Sequence, residues 1–205
     1  MEQTHDCSAF WKWFADNSES LTMLDDLDEV RQHTLLDELQ QQLDNYCEGL
    51  TYEMGEPTQS GRTLTFSAEG DADLFRYVVE IVDNAPDVDW WTFEAFRQPK
   101  GKDLKVTFDK YTFRTKDMYF MQLESEEEPD ILGIRVALPN PVDDDDDQLV
   151  GVYVTIEALI GEFDCTTLIG YLDTCAVPDN PAQAGFRPLD DMPEFIEWFK
   201  RQRDK

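Results

Sequence analysis

The chain has 205 residues and carries 45 aspartate and glutamate residues against 17 lysine and arginine residues, which is a formal net charge of −28. A charge of this sign repels nucleic-acid phosphates and anionic lipids, so it argues against both as direct partners. Hydrophobic residues make up 41% of the chain and aromatic residues 12%. This apolar content is enough to bury a core and excludes a disordered acidic tail.

The first 49 residues are expected to form a helical segment. Aromatic residues at helical spacing predict a short first helix that ends at Asn17-Ser18. These residues are Phe10, Trp11, Trp13 and Phe14. From Leu21 to Tyr46, apolar residues recur at helical spacing between mostly acidic and amide residues, which predicts a long amphipathic helix, either continuous or broken near Asp25-Asp26. Ser18 or Ser20 can cap it, and Gly49 ends it.

Residues 50–205 are expected to form one α+β domain, in which helices pack on one face of a mostly antiparallel sheet. Segments of alternating polarity predict the strands, and a helix that starts at Gly70 ends before Pro86, which lacks a backbone N–H. Strands are predicted at 50–54, 62–68, 89–97, 104–108, 117–123, 131–138 and 165–172. Two further helices are predicted over 148–160 and 190–203.

This order of elements contains two β-α-β units. One leads from 63–66 through a helix to 91–96, and the other from 134–138 through a helix to 168–172. They divide the domain into two halves, 50–116 and 117–205. Because no residue-level repeat accompanies them, duplication and coincidence explain the similarity equally well.

One segment of this acidic chain is basic. Residues 97–116 hold seven bases and only two acids, interleaved with aromatic residues. Trp90-Trp91 begins the strand before it, and adjacent strand residues face opposite sides of a sheet, so at most one of the two joins the main core. An exposed tryptophan beside these bases would form an aromatic and basic binding patch. The candidate binding residues are Trp90, Trp91, Arg97, Tyr111 and Arg114.

Two alternatives compete with this patch. In one, the aromatic helix near the N-terminus covers the tryptophan, so that no ring is left for a partner. In the other, the bases of 97–116 pair with carboxylates of the same protein, and the segment is then a neutralised part of the surface.

Five consecutive aspartates, Asp143 to Asp147, are the candidate cation site, because carboxylate oxygens are the ligands that Ca²⁺ prefers. The candidate ligands are Asp143, Asp145 and Asp147. The favoured interpretation is a solvated loop whose last aspartates cap the following helix, since adjacent residues cannot all point inward. No nucleophile elbow and no glycine-rich phosphate loop occurs in the sequence, so neither catalysis nor a cofactor is expected.

The start of the chain has no basic and apolar leader, and no window reaches 18 apolar residues, so a cytoplasmic location and no membrane contact are expected. The four cysteines form no CxxC pair and are expected to be reduced and mostly buried. A Cys165–Cys175 disulfide is the alternative.

Three features resemble uncharacterised bacterial proteins of unknown function. They are the helical start, the segment DNAPDVDWWTFEAFRQPKG (Asp83 to Gly101), and the later LIGEFD followed by LIGYL. The resemblance implies a bacterial, cytoplasmic origin and assigns no active-site residue.

These observations favour a non-enzymatic acidic interaction or regulatory protein that binds a basic protein partner, in the manner of an antitoxin, an immunity protein or a nucleic-acid mimic. The alternative is an enzyme or small-ligand binder with a carboxylate-lined cleft, assisted by a divalent cation. A further alternative is acidity that only maintains solubility, as in a salt-adapted organism. A monomer or weak dimer is expected, because a charge of −28 per chain opposes self-association.

Overall fold

A computed structural model describes residues 6–123 and 131–203. The chain divides into two compact units, of which the first ends at Arg97 and the second begins at Gln98. The predicted boundary at residue 49 lies inside the first unit. The reason is that the helices before this residue and the strands after it bury their apolar faces in one common core.

Three helices belong to the first unit: α1 (Ser8–Thr22), α2 (Glu29–Tyr46) and α3 (Phe75–Asp83). The predicted break at Asn17-Ser18 is wrong. Both side chains donate to carbonyls of the preceding turn, so the helix continues through them. α1 ends at Thr22 and α2 begins at Glu29, so the predicted alternative of a break near Asp25-Asp26 is confirmed. The cap of α2 is Asp28, whose carboxylate accepts from the backbone N of Arg31 at 3.0 Å.

The first unit has a three-stranded sheet of β1 (Thr51–Met54), β2 (Arg62–Ser67) and β3 (Trp91–Ala95), in that order. β1 pairs with β2 antiparallel, and α3 leads to β3, which pairs with β2 in parallel. Leu64 and Phe66 are in the core, where the ring of Phe66 packs edge-on against Phe10 and Trp11 of α1. Since side chains alternate along a strand, Thr63 and Thr65 lie on the opposite face.

The second unit begins with a hairpin of β4 (Lys105–Phe108) and β5 (Tyr111–Arg114). Its larger sheet contains β6 (Tyr119–Leu123), β7 (Leu132–Leu138), β8 (Ile169–Ala176) and β9 (Arg187–Pro188). The strand order is β8-β7-β6-β9; β7 and β8 are parallel, and the other two pairings of this sheet in the described residues are antiparallel.

The helices of the second unit are α4 (Asp146–Ile160), α5 (Glu162–Leu168) and α6 (Met192–Arg203). Gly161, at φ +86°, lies between α4 and α5 and allows the chain to turn directly from one helix into the next. The strand predicted at 165–172 therefore starts late, at Ile169, because α5 takes the residues before it. Apolar residues of all three helices join Ile134 and Val136 in one buried core.

The α+β fold predicted from the sequence is confirmed. Four of the six strand pairings are antiparallel, and in each unit the helices contribute to the core on one face of the sheet. Both β-α-β connections are present as parallel pairs, β2 with β3 and β7 with β8. In the described ranges, no helix combines the length and the apolar character needed to cross a membrane.

The four cysteines are free thiols, including Cys165 and Cys175. Burial raises the pKa of each of them, most for Cys165, where it reaches about 12. At neutral pH the thiols are therefore protonated, as small apolar groups of the core are expected to be.

Candidate functional site

The second unit contains a cavity of about 410 Å³ beside β5. One wall is β5 itself, and the opposite wall is the connection from the end of β7 to the start of α4. The lining residues are Lys110, Tyr111, Thr112, Phe113, Arg114, Asp117, Met118, Leu138, Pro139, Asn140, Val142 and Gln148. Two of the predicted binding residues, Tyr111 and Arg114, therefore line one cavity.

The floor of the cavity is apolar and its far wall is held by one buried amide. Phe113, Met118 and Leu138 are buried. Gln148 is 4% exposed; its Oε1 accepts from the backbone N of Val142 at 2.8 Å, and its Nε2 donates to the backbone O of Asn140 at 3.1 Å. Because both ends of the amide are satisfied, Gln148 fixes the connection against α4.

Asp145 joins the two walls of the cavity. Its carboxylate accepts from the Tyr111 hydroxyl at 2.6 Å, from the backbone N of Gln148 at 2.9 Å and from Lys110 Nζ at 3.4 Å. The hydrogen bond from Tyr111, followed by the cap to Gln148 and the Lys110 charge, lowers the pKa of Asp145. The same carboxylate raises the pKa of Tyr111 and of Lys110. The predicted helix cap by the aspartate run is thus confirmed at Asp145.

The hairpin lies against α4 at a glycine. A Cβ atom built at Gly151 would lie 2.4 Å from Cε2 of Phe113, so only a residue without a side chain permits this approach. The contact directs the rings of β4 and β5 toward α4. Thr112 and Arg114, which alternate with these rings, are exposed.

Among the strands of the described residues, none pairs with the second edge of β5. The backbone N of Thr115 donates to the O of Leu104 at 3.1 Å, so Leu104 and Thr115 are a hydrogen-bonded pair beside the start of β4 and the end of β5. Since bonded and non-bonded pairs alternate, the N–H and C=O groups of Thr112 and Arg114 point away from β4. Neither residue has another hydrogen-bond partner in residues 6–123 and 131–203. These backbone groups therefore border the cavity unpaired.

The three other predicted binding residues belong to the first unit. Trp91 is buried: its Nε1 donates to Thr22 Oγ1 at 2.9 Å and its ring lies edge-on to Phe14, so α1 covers it. Trp90 has φ +70° and is 62% exposed. Trp90 and Arg97 lie beyond opposite ends of β3, whose five residues span about 16 Å, so they form no joint patch.

Arg97 is held by carboxylates of its own unit. It donates to Glu53 at 2.5 Å and to Glu69, which also accepts from Thr51 Oγ1 at 2.7 Å. Burial acts to raise the pKa of Glu69, but the hydrogen bonds from Arg97 and Thr51 prevail and lower it. This cation is therefore neutralised within the fold.

The aspartate run shows no cage for a metal ion. Within the described ranges, no three histidine, cysteine, aspartate or glutamate side chains converge so that they could hold one. Asp145 is engaged by Tyr111, whereas Asp143 and Asp147 are exposed. Cation binding by these residues stays a prediction that a titration can test.

Sequence reasoning missed β5, and with it Thr112 as a cavity residue. The signal was present: Asp109-Lys110 separates two alternating four-residue segments, as in a two-residue hairpin. Gln148 had no such signal, because an amide at the start of a helix is usually solvated, and only the fold brings it to Asn140 and Val142.

No protein-family model, no curated protein and no solved structure matches this chain.

Proposed function

We propose that this protein is a non-enzymatic binding module whose acidic surface takes up a basic protein partner. Complementary charge speeds the encounter of two proteins and disfavours partners of the wrong sign. The observation that supports the proposal most is where the cations of the chain are placed.

Several of the bases that could oppose the acidic field are paired with carboxylates. In the basic segment 97–116, four of the seven bases are in ion pairs with acids of the same unit. Those four are Arg97, Lys102, Lys110 and Lys116. The positive charge of the segment is therefore partly neutralised within the fold, and the excess of acids in the chain remains for a partner.

The shifted carboxyl groups support the same conclusion. Hydrogen bonds lower the pKa of Asp145 (from Tyr111), of Glu194 (from Lys102) and of Glu197 (from Lys200). A general acid working near neutral pH needs a raised pKa. These groups are instead ionised at neutral pH, so none of the three has the raised pKa that a general acid requires.

The test is affinity capture with the full chain from a lysate of its source cells, at about 50 mM and about 500 mM salt. A specific basic protein is expected to be retained at the lower salt and released at the higher one. Calorimetry with the purified captured protein then measures the affinity. Retention of no basic protein at low salt would contradict the proposal.

Charge variants separate a specific surface from general acidity. The acidic-run variant changes four exposed aspartates of the second unit to asparagine: Asp143, Asp144, Asp146 and Asp147. The matched control removes four exposed acids of the first unit: Asp16→Asn, Glu19→Gln, Asp37→Asn and Glu48→Gln. If the surface is specific, the two variants weaken binding unequally. Equal losses indicate that only the net charge acts, which is the solubility alternative.

The cavity favours a second candidate, a small-ligand binder. Its volume of about 410 Å³ falls in the range of about 300–1,000 Å³ that small-molecule sites occupy. Thermal melts with and without millimolar Ca²⁺ or Mg²⁺ test the cation-assisted form. A stabilisation that is lost when Asp143, Asp145 and Asp147 become asparagine supports it, whereas a shift that any salt reproduces reflects screening.

A further inference from the structure

We infer that the basic partner binds by adding an extended, lysine- or arginine-bearing segment as a new strand on the free edge of β5. This inference rests on the proposed function and names the partner segment and the place where it docks. Strand addition uses main-chain hydrogen bonds for affinity and alternating side-chain pockets for specificity.

The edge has the hydrogen-bonding groups that strand addition needs. Thr112 and Arg114 each direct an N–H and a C=O away from β4, and both residues line the cavity. The four residues of β5 span about 13 Å, which matches four residues of an extended peptide. Exposed strand edges attract other chains unless they are covered or blocked by charge or proline. Within the described residues this edge borders a cavity instead of a covering strand, and the charge that it carries, Arg114, shares the cavity lining with Asp117.

The two sides of the cavity suit a segment with alternating side chains. Its floor is apolar, formed by Phe113, Met118 and Leu138. The aspartate run lies directly between two lining residues, Val142 and Gln148. Successive residues of an added strand point to opposite faces, so apolar side chains reach the floor while basic ones reach the aspartates.

The local charge selects a basic segment even though two cations line the cavity. Residues 110–117 and 143–147 together hold three bases and six acids, a balance of −3. Lys110 is already held by Asp145, and Asp117 lies in the same lining as Arg114. The remaining four aspartates of the run are exposed. The sum attracts a cationic segment and repels an acidic one.

The probe is a peptide of alternating lysine and valine with blocked ends, about eight residues long. Two further peptides of the same sequence carry N-methyl groups on alternate residues, one peptide on its valines and the other on its lysines. N-methylation removes main-chain donors without changing the charge. Calorimetry at about 50 mM salt is expected to show binding that is about tenfold weaker for one of the methylated registers.

The variant Thr112→Pro removes the outward N–H of β5 and leaves the β4 ladder intact, because a proline is tolerated where the N–H faces outward. Thr107→Pro is the matched control, since Thr107 lies opposite Thr112 in the register and its outward edge belongs to β4. Thr112→Pro is expected to weaken the unmethylated peptide about tenfold, whereas Thr107→Pro leaves its affinity unchanged. Hydrogen exchange on the wild-type protein needs no variant: the amides of Thr112 and Arg114 are expected to slow on peptide binding, and that of Thr107 is not.

Each other outcome overturns the inference in a distinguishable way. If all peptides bind equally and Thr112→Pro has no effect, strand addition is wrong while the electrostatic function stands. If no peptide binds although affinity capture retains a basic protein, the β5 edge is not the docking place. If neither binds, the proposed function fails as well. If Thr112→Pro instead dissociates a dimer seen by sedimentation, the occupant of the edge is a second copy of this chain.

Discussion

The two units share one strand arrangement but fill it with different side chains. In each, an antiparallel pair is followed by a helical crossover to a parallel third strand, β1-β2-β3 in the first and β6-β7-β8 in the second. The first core is a cluster of aromatic rings from α1, β2 and β3, whereas the second is mostly aliphatic. The arrangement therefore follows from the order of strands and crossovers, and different residue types can stabilise it.

What the second unit adds to this arrangement carries the candidate site. The hairpin β4–β5 has no counterpart in the described first unit, and its free edge lines the cavity. In the first unit, the sheet face opposite the core carries threonine, serine and glutamate. The shared part thus supplies stability, and the added hairpin supplies unpaired backbone groups.

The largest expected effect tests the difference between the two cores. Phe14 is fully buried and packs on Trp91 and Phe93. Phe14→Ala is expected to lower the free energy of unfolding by about 3–5 kcal/mol, and Ile156→Ala in the second core by about 2–5 kcal/mol. The loss at Phe14 is expected to be the larger of the two, because the rigid rings around it leave a cavity that collapses less. Tryptophan emission in a Trp198→Phe background, which leaves all remaining tryptophans in the first unit, measures the first loss.

The exposed substitution Val79→Ala is the control for that pair, and it is expected to change stability by no more than about 0.5 kcal/mol. If Phe14→Ala costs no more than Val79→Ala, the ring cluster does not stabilise the first unit, and the comparison of the two cores fails.

The next effect compares two glycines. At Gly61, which has φ +116°, a Cβ would lie 2.1 Å from the backbone O of Trp90, whereas at Gly151 it would meet the ring of Phe113. Gly151→Ala is expected to cost about 1–3 kcal/mol because the ring can shift, and Gly61→Ala more than that because a backbone cannot. Urea denaturation of both variants gives the order, and the reverse order would show that the hairpin is the more rigid contact.

Replacing two arginines, one buried and one exposed, is expected to give a smaller difference in stability. Arg62 is 5% exposed and donates to the O of Leu21 at 2.9 Å and to Asp25 at 2.6 Å, whereas the side chain of Arg135, paired with Asp173, is 42% exposed. Arg62→Met is expected to cost about 1–3 kcal/mol because it leaves a buried carbonyl unpaired. Arg135→Met is expected to cost at most about 1 kcal/mol. Thermal unfolding measures both losses of stability. Equal losses would mean that water hydrogen-bonds to the carbonyl of Leu21 in the variant.

The last effect appears only at alkaline pH. Burial raises the pKa of Tyr52 in the first unit and of Tyr153 in the second to about 12. Each tyrosine contributes fully to the free energy of unfolding below its unfolded-state pKa of about 10, and this contribution is lost as the pH rises to about 12. The reason is that the tyrosine releases its proton at lower pH in the unfolded chain than in the folded one. Tyr52→Phe and Tyr153→Phe should each flatten this decline in stability between pH 10 and pH 12. If neither variant changes the loss of stability between pH 10 and pH 12, other groups such as Cys165 cause that loss.

Much of this fold could be predicted from local patterns. The apolar spacing indicated α1, α2 and α4, and the strand-helix-strand order indicated both parallel pairs. Boundaries were less predictable. Asn17 and Ser18 stay helical because their side chains bond to the preceding turn, and α5 extends to Leu168 although its sequence also suits a strand.

The sequence by itself determined the charge of this protein, its capacity for a core and the kinds of its elements, because these depend on composition and on side-chain period. Only the tertiary structure decided that Trp91 is buried while Trp90 is exposed, and that Arg97 is neutralised by Glu53 and Glu69. It also decided which backbone edge of β5 is left unpaired. These outcomes depend on contacts between segments that are far apart in the sequence, and a local sequence pattern contains no information about such contacts.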